Sequence, residues 1–460
     1  MTKRQRLVMV VAILASLISI VDGFIITVAL PAISKDLGGG LTLQQWVVDA
    51  YLITLGSLML IAGSLSDLFG RKRVLQAGLA IFLATSLLCA VAPNGPLLIA
   101  FRALQGIGGA LIVPSSLALI ISSFSGAAQG KAIGSWTAWT AISAIIAPLL
   151  GGILIDTTSW PAIFLVNVAP LALTMWLLSK LDVGTETRSN VLLDARGAIS
   201  GALGLGGTVY ALIEQAHYGW SNPLIYGSLS LGLLSLAYFI WYEQRAKHPM
   251  LPMGLFKARN FSVGNLATIL VYAALSVSGF ITTIFVQQYG GYSALEAGLT
   301  GVPITLIMFF TASRFGSLAG RHGPRFFMAV GPLVIAAGFL LMLMVDESVN
   351  YWTQILPGYL LFGLGLAMTV APLTSAVLGC ISAKQAGIGS AINNAISRIA
   401  GLVAIAGIGV VAGAGSISLG GFKRSLVFVA VLMICGGIIS AIGIQNNAKK
   451  LEPVEGAPQQ

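Results

Sequence analysis

From Leu7 onward the chain is a succession of apolar runs, each close to the ~20 residues an α-helix needs to cross hydrocarbon, with only short polar stretches between them. Fourteen can be counted, at 7–33, 45–64, 74–92, 97–122, 131–155, 161–180, 195–213, 223–242, 262–288, 295–318, 326–345, 352–379, 386–412 and 422–444. Hydrocarbon offers no water to satisfy backbone N–H and C=O groups, so runs of this length must satisfy them internally, as helices. The expected fold class is therefore an all-α integral membrane protein. No loop is long enough to hold a soluble catalytic domain. Composition agrees: only 9% of residues are charged, against about 25% in soluble domains, too few to coat a water-facing surface of this size.

The net charge of +10 could suggest a nucleic-acid partner, but its placement argues for topology. The opening Lys3, Arg4 and Arg6 precede a run too long for a signal peptide, which reads as the first span. An even number of spans returns the C-terminus, with Lys449 and Lys450, to the same side. Fifteen Lys and Arg, among them Arg71, Lys72, Arg73, Lys131, Arg245 and Arg321, then fall in segments on that side, and only Lys35, Lys423 and Arg424 on the other. This asymmetry places both termini in the cytoplasm. Membrane lipid is then the surrounding partner and nucleic acid is excluded. Cys89, Cys380 and Cys435 stand singly, without metal spacing or a disulfide framework.

The polar loop Gly63-Ser-Leu-Ser-Asp67-Leu-Phe-Gly70-Arg71-Lys72-Arg73 has a worn copy, Gly316-Ser-Leu-Ala-Gly320-Arg321-His-Gly323-Pro-Arg325, which begins 253 residues later (316 minus 63). Each follows the second span of a six-span set. The chain thus divides into a six-helix bundle at 1–185, two inserted spans with linkers at 186–250, a second six-helix bundle at 251–448 and a tail at 449–460. Parallel repeats of this kind are a transporter architecture. Asp67 is read as an acceptor for Arg71 or a helix end that closes the inner side, with Gly63, Gly70 and Arg73 shaping this gate.

Ionisable groups at membrane depth are costly and mark functional sites. Asp22 lies fifteen residues into the first run, about 22 Å along a helix; Asp49 and Arg102 lie a short way into the second and fourth runs from the outer side. The three share a depth. Either they couple proton movement to a conformational change, or Arg102 and a carboxylate form a fixed ion pair holding helices together. In the second half Arg398 follows Asn393, Asn394 and Ser397. With Phe24, Tyr51, Trp136 and Trp139, the residues Asn393, Asn394 and Arg398 are candidates to line a broad cavity, suited through cation–π contact and carboxylates to lipophilic cations. In the fifth run, Ser143, Ala147 and Gly151 give a smooth face and Pro148 removes one backbone hydrogen bond, so Pro148, Gly151 and Gly152 read as a hinge.

Taken together these motifs resemble the major facilitator superfamily, and within it the fourteen-helix drug:proton antiporter branch. Gly63–Arg73 looks like the family loop between the second and third helices. Asp22-Gly-Phe-Ile-Ile-Thr27-Val-Ala29-Leu30-Pro31, Trp46-Val-Val-Asp49-Ala-Tyr51 and Arg102-Ala-Leu-Gln105-Gly106-Ile-Gly108-Gly109 resemble its motifs in the first, second and fourth helices. Pro148-Leu-Leu-Gly151-Gly152 resembles the antiporter motif, although Ser143 and Ala147 stand where the family usually has glycine. The resemblance implies a major facilitator fold, an arginine at 102 involved in proton coupling, and export of drugs and antibiotics through a bacterial cytoplasmic membrane.

The function expected is proton-coupled efflux of hydrophobic, cationic compounds by alternating access. The proton gradient would be the energy source, with no cofactor or metal, no enzymatic activity, and a monomer as the working unit. Two other readings stay open: export of an endogenous metabolite, siderophore or lipid on the same fold, and a membrane scaffold or sensor that transports nothing.

Overall fold

The computed structural model describes residues 1–181, 194–246, 249–382, 385–413 and 417–446, and all regular structure among them is helical. In chain order the α-helices are α1 (Lys3–Leu37), α2 (Gly40–Phe69), α3 (Arg71–Ala90), α4 (Gly95–Ser123), α5 (Gly126–Thr157), α6 (Ala162–Leu165), α7 (Val168–Ser179), α8 (Ala195–Tyr218), α9 (Pro223–Glu243), α10 (Arg259–Gln288), α11 (Ala294–Thr300), α12 (Val302–His322), α13 (Arg325–Leu341), α14 (Leu356–Gly379), α15 (Ala386–Ala412) and α16 (Leu419–Gly443). Among the described residues twelve stretches are long and apolar enough to cross a membrane. The long helices α2 and α5, of 30 and 32 residues, are additional to those twelve. The predicted tail at 449–460 and the linker residue Arg188 lie outside the described residues.

Helix ends follow local chemistry. Thr2 caps α1 reciprocally with Gln5, each side chain accepting from the other's backbone N–H. The sixth predicted span, 161–180, is split between α6 and α7 around Val166 and Asn167. Pro170 has no N–H to offer the carbonyl of Val166, which explains the interruption. The tenth is split in the same way at Gly301, where Pro303 cannot pair with the carbonyl of Leu299.

The chain forms two compact units. The first comprises Met1–Gly207, Leu231–Leu236 and Ser293–Leu299; the second comprises Thr208–Ser230, Ala237–Tyr292 and Thr300–Gln460. Parts of α8 and of α9, the two helices expected as an insertion, fall in each unit. Within the first unit α4 packs on both α2 and α3, and α1 on α5. Within the second, α14 packs on both α12 and α13, and α10 on α15. These are the same pairs under the repeat.

The polar loop and its copy are also the same turn. Gly70 joins α2 to α3 at φ 95°, and Gly323 joins α12 to α13 at φ 86°. Both lie in the left-handed region that L side chains avoid, and they are again 253 residues apart (323 minus 70). Farther along, Gly78 and Gly331, also 253 apart, let α3 approach α4 and α13 approach α14.

Close approach makes one glycine of the first unit irreplaceable. A Cβ on Gly106 of α4 would run into the Tyr51 carbonyl and the Thr54 hydroxyl of α2. The same Thr54 hydroxyl donates to the Ala103 carbonyl at 2.7 Å, tying the two helices together. Gly106→Ala is expected to cost about 1–3 kcal/mol by overpacking, read as a lower melting temperature in detergent. Gly134→Ala in α5, with nothing within 4 Å of the added methyl, is the control and should leave the melting temperature unchanged or slightly raised. Equal melting of the two variants would contradict this packing.

Candidate functional site: a buried polar network and an unpartnered carboxylate

A buried network in the first unit is built around the Asp22 carboxylate, with residues from α1, α2, α3, α4 and α6 and from the α6–α7 link. Arg102 of α4 reaches Asp22 of α1 with Nη1 to Oδ2 at 2.6 Å. The other carboxylate oxygen accepts from Gln105 Nε2 at 3.2 Å and from Asn167 Nδ2 at 2.9 Å. Gln105 in turn accepts from Arg102 Nη1 at 2.6 Å and donates to Ser86 of α3 at 2.9 Å. Arg102 Nε donates to the Val47 carbonyl of α2 at 3.1 Å. The guanidinium lies 4.5 Å from the centre of the Tyr51 ring and 5.8 Å from that of Phe164 in α6. Arg102 is 0% and Asp22 1% exposed.

The sequence left two readings of Arg102 open, and the geometry is that of the ion pair. Asp22 faces one cation and two amide donors, an arrangement that fixes a carboxylate rather than leaving it open to a ligand. Tyr51, expected to line the cavity, is 3% exposed. Its ring covers Arg102, and its hydroxyl sits 3.1 Å from Ser19 Oγ.

Asp49 is the opposite case. It lies nine residues into α2, about 14 Å along the helix, and is 0% exposed. Among the described residues, neither of its carboxylate oxygens has a hydrogen-bond partner. Arg102 Nη2 is likewise buried without one. The pair and the unpartnered acid thus sit on interlocked helices, since Arg102 is bonded to the backbone of α2 two residues before Asp49.

The remaining sequence candidates divide. Phe24 on α1 and Trp139 on α5 are exposed, at 42% and 51%. Trp136 is partly buried, its indole N–H donating to Ser16 at 3.1 Å. In α15 the adjacent asparagines part ways. Asn393 turns to α10, donating to Asn265 at 3.0 Å and Thr268 at 2.8 Å, whereas Asn394 and Arg398 are exposed. Asn393 is therefore a packing residue of the second unit.

In the gate loop, Gly63 lies within α2, Gly70 makes the turn and Arg73 is exposed in the first turn of α3. The side chain of Asp67 lies outside the described residues. Arg71 is engaged by another group of the protein. Lys72, to which no role was given, donates to the Leu181 carbonyl at 2.6 Å and so ties α3 to the end of α7.

The residues expected as a hinge form a packing surface. α5 continues through Pro148 without a break. Gly151 faces Ile25 of α1, and Gly152 faces the backbone of Leu295. One turn on, the Asp156 carboxylate accepts from the N–H groups of Ala294 at 3.1 Å and Leu295 at 2.9 Å, capping α11.

Sequence reasoning missed Asn167, Gln105 and Ser86 as parts of the network. Gln105 carried a signal, standing one turn after Arg102. Asn167 carried one too, as a lone amide inside an apolar run.

The comparisons with known proteins agree with this architecture. The family description "Major Facilitator Superfamily" matches residues 12–405. A methylenomycin A resistance protein of Bacillus subtilis (strain 168) is 33% identical over 410 residues, covering 88% of this chain and 86% of that protein. The multidrug transporter protein MdtP of the same organism is 33% identical over 409 residues, covering 88% and 74%. The puromycin resistance protein pur8 of Streptomyces alboniger is 33% identical over 403 residues, covering 86% and 80%. Among solved structures, a peptide transporter POT in complex with sulfate superposes with a TM-score of 0.70 over 95% of this chain and 93% of its own, at 15% identity, a likeness of fold. An all-helical chain of two matching units, its polar groups drawn into a buried network, and relatives this similar over most of its length lead to one conclusion: this multi-pass membrane protein belongs to the Major Facilitator Superfamily and is a transporter, not an enzyme.

Proposed function

We propose that the protein is a proton-coupled exporter of lipophilic drugs and antibiotics, working by alternating access across a bacterial cytoplasmic membrane. Its fourteen spans would leave both termini in the cytoplasm. The relatives named for multidrug transport and for resistance to methylenomycin A and puromycin support the export of such compounds. The observation that carries the proton coupling is Asp49, a fully buried carboxyl group with no hydrogen-bond donor on either oxygen among the described residues. A bare charge there costs several kcal/mol, and the neutral acid avoids that cost. Asp49 is thus the proton carrier: neutral in this conformation, it releases its proton when movement of α2 brings water or a cation to it. The Asp22–Arg102 pair anchors the helices around it, and Arg102, with Nη2 free, is the nearest candidate for that cation.

The experiment is reconstitution of the full chain in proteoliposomes with a pH-sensitive dye inside. Adding ethidium or puromycin should drive proton movement that depends on the compound, and an imposed pH gradient should drive its export. Export that proceeds equally without any gradient, or proton flux indifferent to every compound added, would refute the coupling. The cation preference expected from the sequence has no exposed carboxylate to carry it at Asp22 or Asp49.

A further inference from the structure

The exposed side of α15 carries Gly387, Ala391, Asn394 and Arg398, spaced four, three and four residues apart and so on one helix face. No large apolar side chain is among them. A face that meets acyl chains looks different: α9 exposes Leu224, Leu231, Leu234, Tyr238 and Trp241. The α15 face is therefore suited to water, not lipid. Arg398 lies twelve residues from Ala386 and fourteen from Ala412, about 18 and 21 Å from the two ends of the helix. From mid-span its side chain cannot snorkel to either interface. A lipid-facing arginine at this depth costs about 2.5–3.5 kcal/mol or more, which again places it in water-accessible space.

Arg398 makes no hydrogen bond or ion pair among the described residues. Asn394, one turn earlier, spends its amide N–H on the Ser390 carbonyl at 3.1 Å. The contrast with Arg102 is direct: that arginine is buried and paired with Asp22, while this one is exposed and has no acid. A cation kept unneutralised at mid-span needs its anion from outside the chain.

We propose that Arg398 recognises a carboxylate on the exported compound, so that the substrates include lipophilic carboxylic acids. The planar guanidinium presents two parallel N–H groups to the two oxygens of a carboxylate, a match that a cationic or uncharged compound does not offer. Asn394, one turn before Arg398, is a polar neighbour on the same face. This inference rests on the exporter reading above, and deepens it by naming the substrate class.

The test uses one fluorescent scaffold with two charges, 1-pyrenebutyrate and 1-pyrenebutyl-trimethylammonium, binding to the purified full-length protein. Wild type should bind the carboxylate more tightly. Arg398→Gln should weaken it about tenfold or more and leave the cation unchanged or improved, with Arg398→Lys in between. Since Arg398 makes no internal bond, all three proteins should melt alike. Equal losses for both compounds in Arg398→Gln, or a wild-type preference for the cation, would overturn the assignment. Wild type that exports ethidium with proton movement yet does not bind pyrenebutyrate would overturn it too, while leaving the exporter reading intact. Wild type that moves neither ethidium nor puromycin would remove both.

Discussion

Arg102→Ala should remove most of the folded transporter. The substitution leaves Asp22 buried with its cation gone and only the Gln105 and Asn167 amides in place. Breaking a buried pair in this way costs about 3–5 kcal/mol, a large share of the ~5–15 kcal/mol that holds a typical domain together. The loss is compounded because Arg102 also bonds the α2 backbone and fills the space between the Tyr51 and Phe164 rings. The measurement is the monodisperse fraction and melting temperature of detergent-extracted protein. Asp22→Asn alone should also destabilise, since it leaves a buried guanidinium uncompensated. The double variant Asp22→Asn/Arg102→Gln, with no charge left, should melt closer to wild type than Arg102→Ala does. With Arg102→Gln alone as the matching single variant, simple addition of its effect and that of Asp22→Asn in the double would show that the side chains do not interact and that the pair is not what holds these helices.

Asp49→Asn should do the reverse: keep the fold and lose the coupling. Asparagine has nearly the same shape, and Asp49 has no partner to forfeit, so stability should stay within about 0.5 kcal/mol of wild type or rise. Export driven by an imposed pH gradient should fall about tenfold or more, because the amide carries no exchangeable charge. Exchange of labelled for unlabelled compound without a gradient should survive. Full gradient-driven export by Asp49→Asn would show that the proton travels elsewhere. The two variants together separate a structural acid from a functional one by opposite outcomes in the same assays.

Hydropathy alone placed the helices, because a membrane leaves the chain few alternatives, and the repeated loop foretold the Gly323 turn by its distance from Gly70. Asp22, Asp49 and Arg102 also stood out in sequence against their apolar neighbours, and all three are buried. Which of them would touch was not legible. Asp22 is 80 residues from Arg102 and 145 from Asn167, and no local pattern joins positions so far apart. That Tyr51 covers Arg102 was hidden for the same reason, since an aromatic that covers an arginine looks, in sequence, like one that greets a ligand. Asn393 and Asn394 show how fine the distinction is. They differ by a single helical step, yet one packs on α10 and the other is exposed, and which side α10 occupies is a tertiary fact.

The ion pair also bears on how the protein is made. Asp22 enters the membrane with α1, but its cation is synthesised 80 residues later, about 4–16 s behind at ~5–20 residues per second, and Asn167 later still. Until then the nascent first helix carries an acid with no partner. Shelter of that helix by the insertion machinery until α4 arrives would cover the interval. Ribosome-bound chains too short for α4 to have left the ribosome, and longer ones in which it has left, would differ in whether α1 leaves the insertion site for lipid.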